Sequence, residues 1–154
     1  VNLGILDKPY NFLTQPFAAK IVIILALLWR WTGYNMVFFL SGLQNIEYSV
    51  YEAAKIDGAS AIQTFFKITV PLLKPTILLT AIMSTNGTLQ LFDESINLTD
   101  GGPANASISM SHYIYNLCFK YVPNFGYAAA MSFFILLLVA VLAFIQMRVG
   151  DKRD

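Results

Sequence analysis

Ser49-Val-Tyr-Glu-Ala-Ala-Lys-Ile-Asp-Gly58, followed ten residues later by Ile68-Thr-Val-Pro71, decides how the rest of the chain is read. It is a polar island between long apolar segments. Ser49 and Glu52 have the spacing of a capping box, in which a hydroxyl and a carboxylate satisfy the free amides of a helix's first turn. Gly58 falls where such a helix must end, since glycine takes the left-handed conformation without a Cβ penalty. Ser60 and Gln63 repeat the box as Ser-x-x-Gln. The spacing predicts a helix of roughly two turns, a glycine break and a second short helix running into Pro71. A well-capped hairpin needs no function. Two details nonetheless favour a docking site: Ala53 and Ala54 leave a small surface, and Asp57 sits in the last turn, where the helix dipole disfavours a carboxylate and a cationic partner accounts for it.

Working outward, the flanking sequence is that of a membrane protein. Of 154 residues, 56% are hydrophobic and 12% charged, half the charge of an ordinary soluble domain. A net charge of +1 gives no case for nucleic acid or an acidic substrate. Cys118 alone excludes an internal disulfide, and with the single His112 it makes no metal set. No phosphate-binding loop is present and no Ser/His/Asp set can be placed, so an enzyme is not expected. The lone His112 reads as structural. No signal peptide pattern is visible, and a start at Val1 suggests that an amino-terminal part is missing.

Residues 1–16, with Gly4, Pro9, Asn11 and Pro16, read as a loop. Residues 17–43 are the first spanning candidate, a single helix with a polar patch from Arg30 to Asn35. Two readings of Arg30 stand: it snorkels or pairs with a neighbouring helix, or it faces a wet interior. Trp31 and Tyr34 suit an interface. Residues 44–71 are the hairpin and 72–98 the second span, with Pro71 and Pro75 in its first turns. Asn86, Gln90, Asp93 and Asn97 fall at i, i+4, i+7 and i+11, one face of a continuous helix. A polar stripe is costly against lipid, so it meets either other helices or a solute. Thr99 to Asn105 is a loop. Residues 109–121, rich in Tyr and Phe, read as an interfacial helix closing an outer segment 99–126. The twenty-one uncharged residues 127–147 form the third span, and 148–154 a basic tail. Lys55, Lys67, Lys74, Arg148, Lys152 and Arg153 lie on one side and Lys8, Lys20 and Lys120 on the other. Six against three puts the hairpin and the carboxyl terminus in the cytoplasm.

Glu52-Ala53-Ala54, then Gly58, Ile68 and Pro71, resemble the signature of ABC-transporter permease subunits: Glu-Ala-Ala, three residues, Gly, nine residues, Ile, one residue, Leu-Pro. Val70 stands where that family usually has Leu. Trp31 to Met36, Tyr51 to Ala59, Pro71 to Thr76, Leu98-Thr99 with Gly101-Gly102-Pro103, and Gly126 to Ala128 resemble the carbohydrate-uptake branch, including disaccharide, oligosaccharide and glycerol phosphate permeases. The resemblance implies an all-α integral membrane fold, with three transmembrane helices here from a six-helix permease, in a bacterial inner membrane. It implies that Glu52, Ala53, Ala54, Asp57 and Gly58 form a coupling helix for a separate ATPase subunit, which binds the ATP. It also implies a second permease subunit and a substrate-binding protein as partners, the latter facing Gly101, Gly102 and Pro103. No cofactor is expected on this chain. The chemistry of Tyr34, Asn35, Asn86, Gln90 and Asp93 suits a path for a polyhydroxylated solute. The readings left beside it are a permease for peptides or amino acids and a membrane scaffold that recruits a cytoplasmic partner.

Overall fold

The computed structural model describes residues 12–150. The loop expected over residues 1–11, with Lys8, and the tail from residue 151, with Lys152 and Arg153, lie outside the described residues.

Among the described residues the structure is helical and without strands. Helix α1, Pro16–Gln44, is unbroken for 29 residues, about 44 Å at 1.5 Å per residue. It carries the polar patch at Arg30–Asn35 without interruption, because its flanking runs are strong helix formers. Helix α2 is Tyr48–Ile56. Helix α3, Ala61–Leu72, meets α4, Lys74–Leu89, at a bend of 64°. Within α3 the turn Phe65–Thr69 is a π turn. Pro71 explains the irregularity: it has no amide to donate to the Lys67 carbonyl, and its ring crowds that carbonyl. Helices α5, Asp93–Thr99, and α6, Met110–Tyr115, are short, and α6 continues as a second π turn, Asn116–Lys120. Helix α7, Phe125–Gly150, closes the described chain with 26 residues.

Helices α1 and α7 are long and apolar enough to cross a bilayer, and α3 with α4 makes a third span if the bent pair is taken as one. The expected single span over residues 72–98 is corrected. Helix α4 has 16 residues, about 24 Å against a hydrocarbon core of about 30 Å. It stops at Leu89, and α5 starts again at Asp93. The run Ser84-Thr85-Asn86-Gly87-Thr88 before the stop contains weak helix formers. The Thr85 hydroxyl there donates to the Ala81 carbonyl at 2.8 Å, a bond that bends helices.

The chain divides into two compact units, residues 1–29 with 87–137, and residues 30–86 with 138–154. In the second, polar side chains join helices. The Asn35 amide donates to Ser84 Oγ and the Ser84 hydroxyl donates back to Asn35 Oδ1, both at 3.2 Å. Gln146 donates to Thr85 Oγ1 at 2.8 Å. These are bonds that membrane helices form where water is absent. Backbones also approach closely: a Cβ on Gly42 would lie 2.8 Å from Thr76 Oγ1. In the first unit, Ala19, Ile23, Leu117, Ala128 and Ile135 are buried beside the polar Ser95, Ser107, His112 and Asn116. Elsewhere large apolar side chains face outward, among them Phe17, Trp29, Val37, Phe133 and Val149, the reverse of a soluble domain.

Candidate functional site

The hairpin is built as its glycine requires and capped differently from expectation at its start. Glu47 occupies the cap position of α2 with no side-chain cap bond, and the Ser49 hydroxyl donates to Glu47 Oε2 at 3.2 Å instead of accepting from an amide. The Ser49–Glu52 capping box is therefore corrected: α2 begins one residue before Ser49, which places the serine inside the helix. The other end matches the reading. Gly58 has φ +74°, its amide donates to the Lys55 carbonyl at 3.1 Å, and the Ala59 amide donates to the Ala54 carbonyl at 3.0 Å. This is a Schellman closure. Ser60 then caps α3 in a full box with Gln63, at 3.3 Å and 2.9 Å.

Within α2 the faces separate by helical periodicity. Tyr51 is half-buried and Ala54 buried, while Glu52, Ala53, Ile56 and Asp57 are exposed. Ala54 thus turns inward and leaves Ala53 as the small residue on the outer face. Ile56 is 85% exposed, an apolar side chain on an otherwise polar face. The sequence reading passed over it because single exposed apolar residues are common. Its signal was its place one turn after Glu52.

The residues expected to line a solute path are not brought into one stripe. The break at Gln90–Phe92 destroys the i, i+4, i+7, i+11 alignment of Asn86, Gln90, Asp93 and Asn97. Asn86 is half-buried in α4, Gln90 lies exposed just beyond that helix, and Asp93 and Asn97 are exposed on α5. Gln90 lines a cavity of about 310 Å³ with Ser111, Ser132, Ile114, Ile135 and Leu136. Asn35 is engaged with Ser84, and Tyr34 is exposed with its ring 6.0 Å from that of Trp31. The Arg30 guanidinium lies 5.7 Å from the Trp31 ring centre.

The outer segment holds a polar core that the sequence did not reveal. Ser95, wholly buried, donates to the Ser107 carbonyl at 2.8 Å, accepts from the Ser109 amide at 3.3 Å and bonds His112 Nδ1 at 2.8 Å. With its one proton directed to Ser107, the serine must accept from His112, so Nδ1 carries the imidazole proton. His112 Nε2 then lacks a hydrogen-bond partner and lies 3.7 Å from Asp100 Oδ1. Burial pushes the His112 pKa down, with Asp100 opposing and Lys120 reinforcing that effect. Asp100 pairs with Lys120 at 3.0 Å. A Ser/His/Asp set therefore does exist, contrary to expectation. It is not a nucleophile arrangement, because Ser95 has no exposed surface and its hydroxyl proton is held by Ser107. His112 is structural, as read. Gly101 is buried at φ +79°, and a Cβ there would lie 2.9 Å from Ile108 Cγ1. Glycine is needed at that position. Gly102 and Pro103 are joined by a cis peptide, and the Ser107 hydroxyl donates to the Gly102 carbonyl.

Apolar spans and a projecting, capped hairpin define an all-α membrane protein built around a surface segment. The chain belongs to the family of binding-protein-dependent transport system inner membrane components, whose model matches residues 5–153. It is 55% identical over 153 residues to the lactose transport system permease protein LacF of Rhizobium radiobacter, covering 98% of this chain and 51% of that protein. The trehalose/maltose transport system permease protein MalF of Thermococcus litoralis is 37% identical over 146 residues, 95% of this chain and 49% of that protein. The multiple sugar-binding transport system permease protein MsmF of Streptococcus mutans is 35% identical over 150 residues, 97% and 51%. The chain spans about half the length of these relatives.

Proposed function

We propose that this chain is part of the permease subunit of an ATP-driven importer, and that its solute is a sugar or a related polyol or glycerol phosphate. The observation that carries the reading is the Glu52-Ala53-Ala54 helix closed by Gly58 at φ +74°, projecting Glu52, Ala53, Ile56 and Asp57 outward. That face suits a groove on a separate ATPase subunit, where ATP binds and is hydrolysed. The 55% likeness to a lactose transport permease supports a disaccharide as cargo. A second permease subunit and a substrate-binding protein complete the assembly. Gly101, Gly102 and Pro103 are the proposed contact for the binding protein, and the hairpin and carboxyl terminus are proposed to be cytoplasmic. Tyr34, Asn35, Asn86, Gln90 and Asp93 each offer a hydrogen-bonding group to a polyhydroxylated solute. Gln90 is the candidate that already borders a cavity.

The test is a cysteine crosslink from position 53 of the full-length subunit, with Cys118 replaced by serine, to candidate ATPase subunits in native membranes. Ala53 is chosen over Ala54 because it is exposed. A specific crosslink whose yield changes with ATP supports the importer. A stable subunit that crosslinks to no ATPase supports a scaffold, and uptake of a peptide or amino acid in place of a sugar removes the carbohydrate assignment.

A further inference from the structure

The two arms of the hairpin are joined by a bond that lies off the Glu-Ala-Ala signature. Tyr51 OH and Thr69 Oγ1 are 3.2 Å apart, eighteen residues apart in sequence. Tyr51 lies on the inner side of α2, three residues before the buried Ala54, and Thr69 is 6% exposed. Thr69 also donates to the Thr64 carbonyl in a long bond of 3.5 Å. With its one proton there, Thr69 accepts from Tyr51, and the tyrosine is the donor.

The position of Thr69 gives this bond its consequence. It ends the π turn Phe65–Thr69, two residues before Pro71, and the 64° bend between α3 and α4 follows at Leu73. A π turn is a weak point in a helix and is often found where a helix works. Beside the bond runs an open cleft of about 430 Å³ lined by Lys55, Ala59, Ala61, Thr64 and Phe65 as well as the bonded pair. Close packing does not fill the space between the arms there, so the hydroxyl pair carries more of their registry than it would in a packed core.

We infer that Tyr51 and Thr69 are positioning residues that pass displacement of α2 to the π turn and to the bent helix pair. This rests on the reading of α2 as the segment that docks on an ATPase. Without the bond, α2 still docks and the ATPase still turns over, but movement of α2 is taken up by the cleft instead of reaching α4. Hydrolysis and transport then separate.

The measurement is the amount of sugar transported per ATP hydrolysed by the full-length complex in proteoliposomes. Tyr51→Phe and Thr69→Val lower this ratio about threefold to tenfold, the range expected from one neutral hydrogen bond. Thr69→Ser restores it to the parent value. The double variant Tyr51→Phe/Thr69→Val is no worse than either single one, because both remove the same interaction. Equal ratios for Thr69→Val and Thr69→Ser overturn the inference at any level of assembly, as does a double variant whose losses add. The crosslink from position 53, repeated in each variant, separates this failure from failure of the importer reading: a retained crosslink with an unchanged ratio removes only the Tyr51–Thr69 link.

Discussion

Replacing Ser95 with alanine tests the polar core of the outer segment most sharply. The hydroxyl is fully buried and serves three groups: it donates to Ser107 O at 2.8 Å and accepts from His112 Nδ1 at 2.8 Å and from Ser109 N at 3.3 Å. Alanine fits the space, so the cost is not steric. It comes from the groups left behind. A buried donor or acceptor without a partner costs roughly 1–3 kcal/mol. The two short bonds leave the Ser107 carbonyl and the His112 N–H unpaired, which gives about 2–5 kcal/mol when the long Ser109 bond is ignored and some relaxation is allowed. The assay is amide exchange of residues 93–120 in the full-length subunit in lipid nanodiscs, read as the free energy of local opening. Ser49→Ala is the control. Its hydroxyl is exposed and caps no amide, so the change falls within about 0.5 kcal/mol. A Ser95→Ala subunit whose segment opens less than about 1 kcal/mol more easily than the parent refutes the hydrogen-bond count and the imidazole tautomer derived from it.

His112 supplies a pH dependence of known sign. Its folded pKa lies below the ordinary value of about 6.5, so the unfolded segment takes up its proton first. Stability of the segment is then constant above about pH 6.5 and falls as pH drops through the lowered folded value. Amide exchange at about pH 7.5 and about pH 5, corrected for intrinsic rates, shows this slope in the parent, and His112→Asn flattens it; an equal slope in both discards His112 as its origin. Ile56→Asp weakens binding of the ATPase subunit about tenfold or more, the loss expected for a small anchor on an otherwise polar face, in a pull-down of the full-length complex; unchanged binding removes Ile56 from the docking face. With the polar stripe broken, Gln90→Leu and Asn86→Leu have separate outcomes. Gln90→Leu lowers sugar uptake with assembly intact, Asn86→Leu has the smaller effect, and equal losses restore a shared face.

What could be read in the sequence depended on how local its cause was. The glycine break at Gly58, the Ser60–Gln63 box and the lengths of α1 and α7 are set by residues within one or two turns, and each lies where its neighbours dictate. The start of α2 failed by one residue because Ser49 has a competitor: Glu47 reaches its hydroxyl first, and a serine inside a helix has no free amide to accept. The 72–98 span failed because period-based projection assumes an unbroken helix, whereas Ser84 to Thr88 offer the backbone alternatives to helical bonding. The link between Ser95 and His112 joins residues 17 apart, and no local pattern encodes a contact across that loop. Tyr51 and Thr69 were invisible for the same reason, since the π turn that fixes Thr69's position arises from Pro71, two residues beyond it.

The ten-residue stretch from Ser49 to Gly58 is best understood as two surfaces sharing one helix. Three to four residues per turn give a nine-residue helix room for one outward and one inward face. Outward, Glu52, Ala53, Ile56 and Asp57 combine charge, a small residue and one apolar side chain, a mixture that gains little from folding this chain alone. Inward, Ala54 is small enough to be buried, and Tyr51 reaches further to bond Thr69. A larger residue at position 54 would push α2 away from the rest of the hairpin and lengthen the 3.2 Å contact, even though the outer face kept every residue unchanged. The two alanines of the motif therefore answer to different constraints, Ala53 to a partner's approach and Ala54 to the hairpin's own geometry.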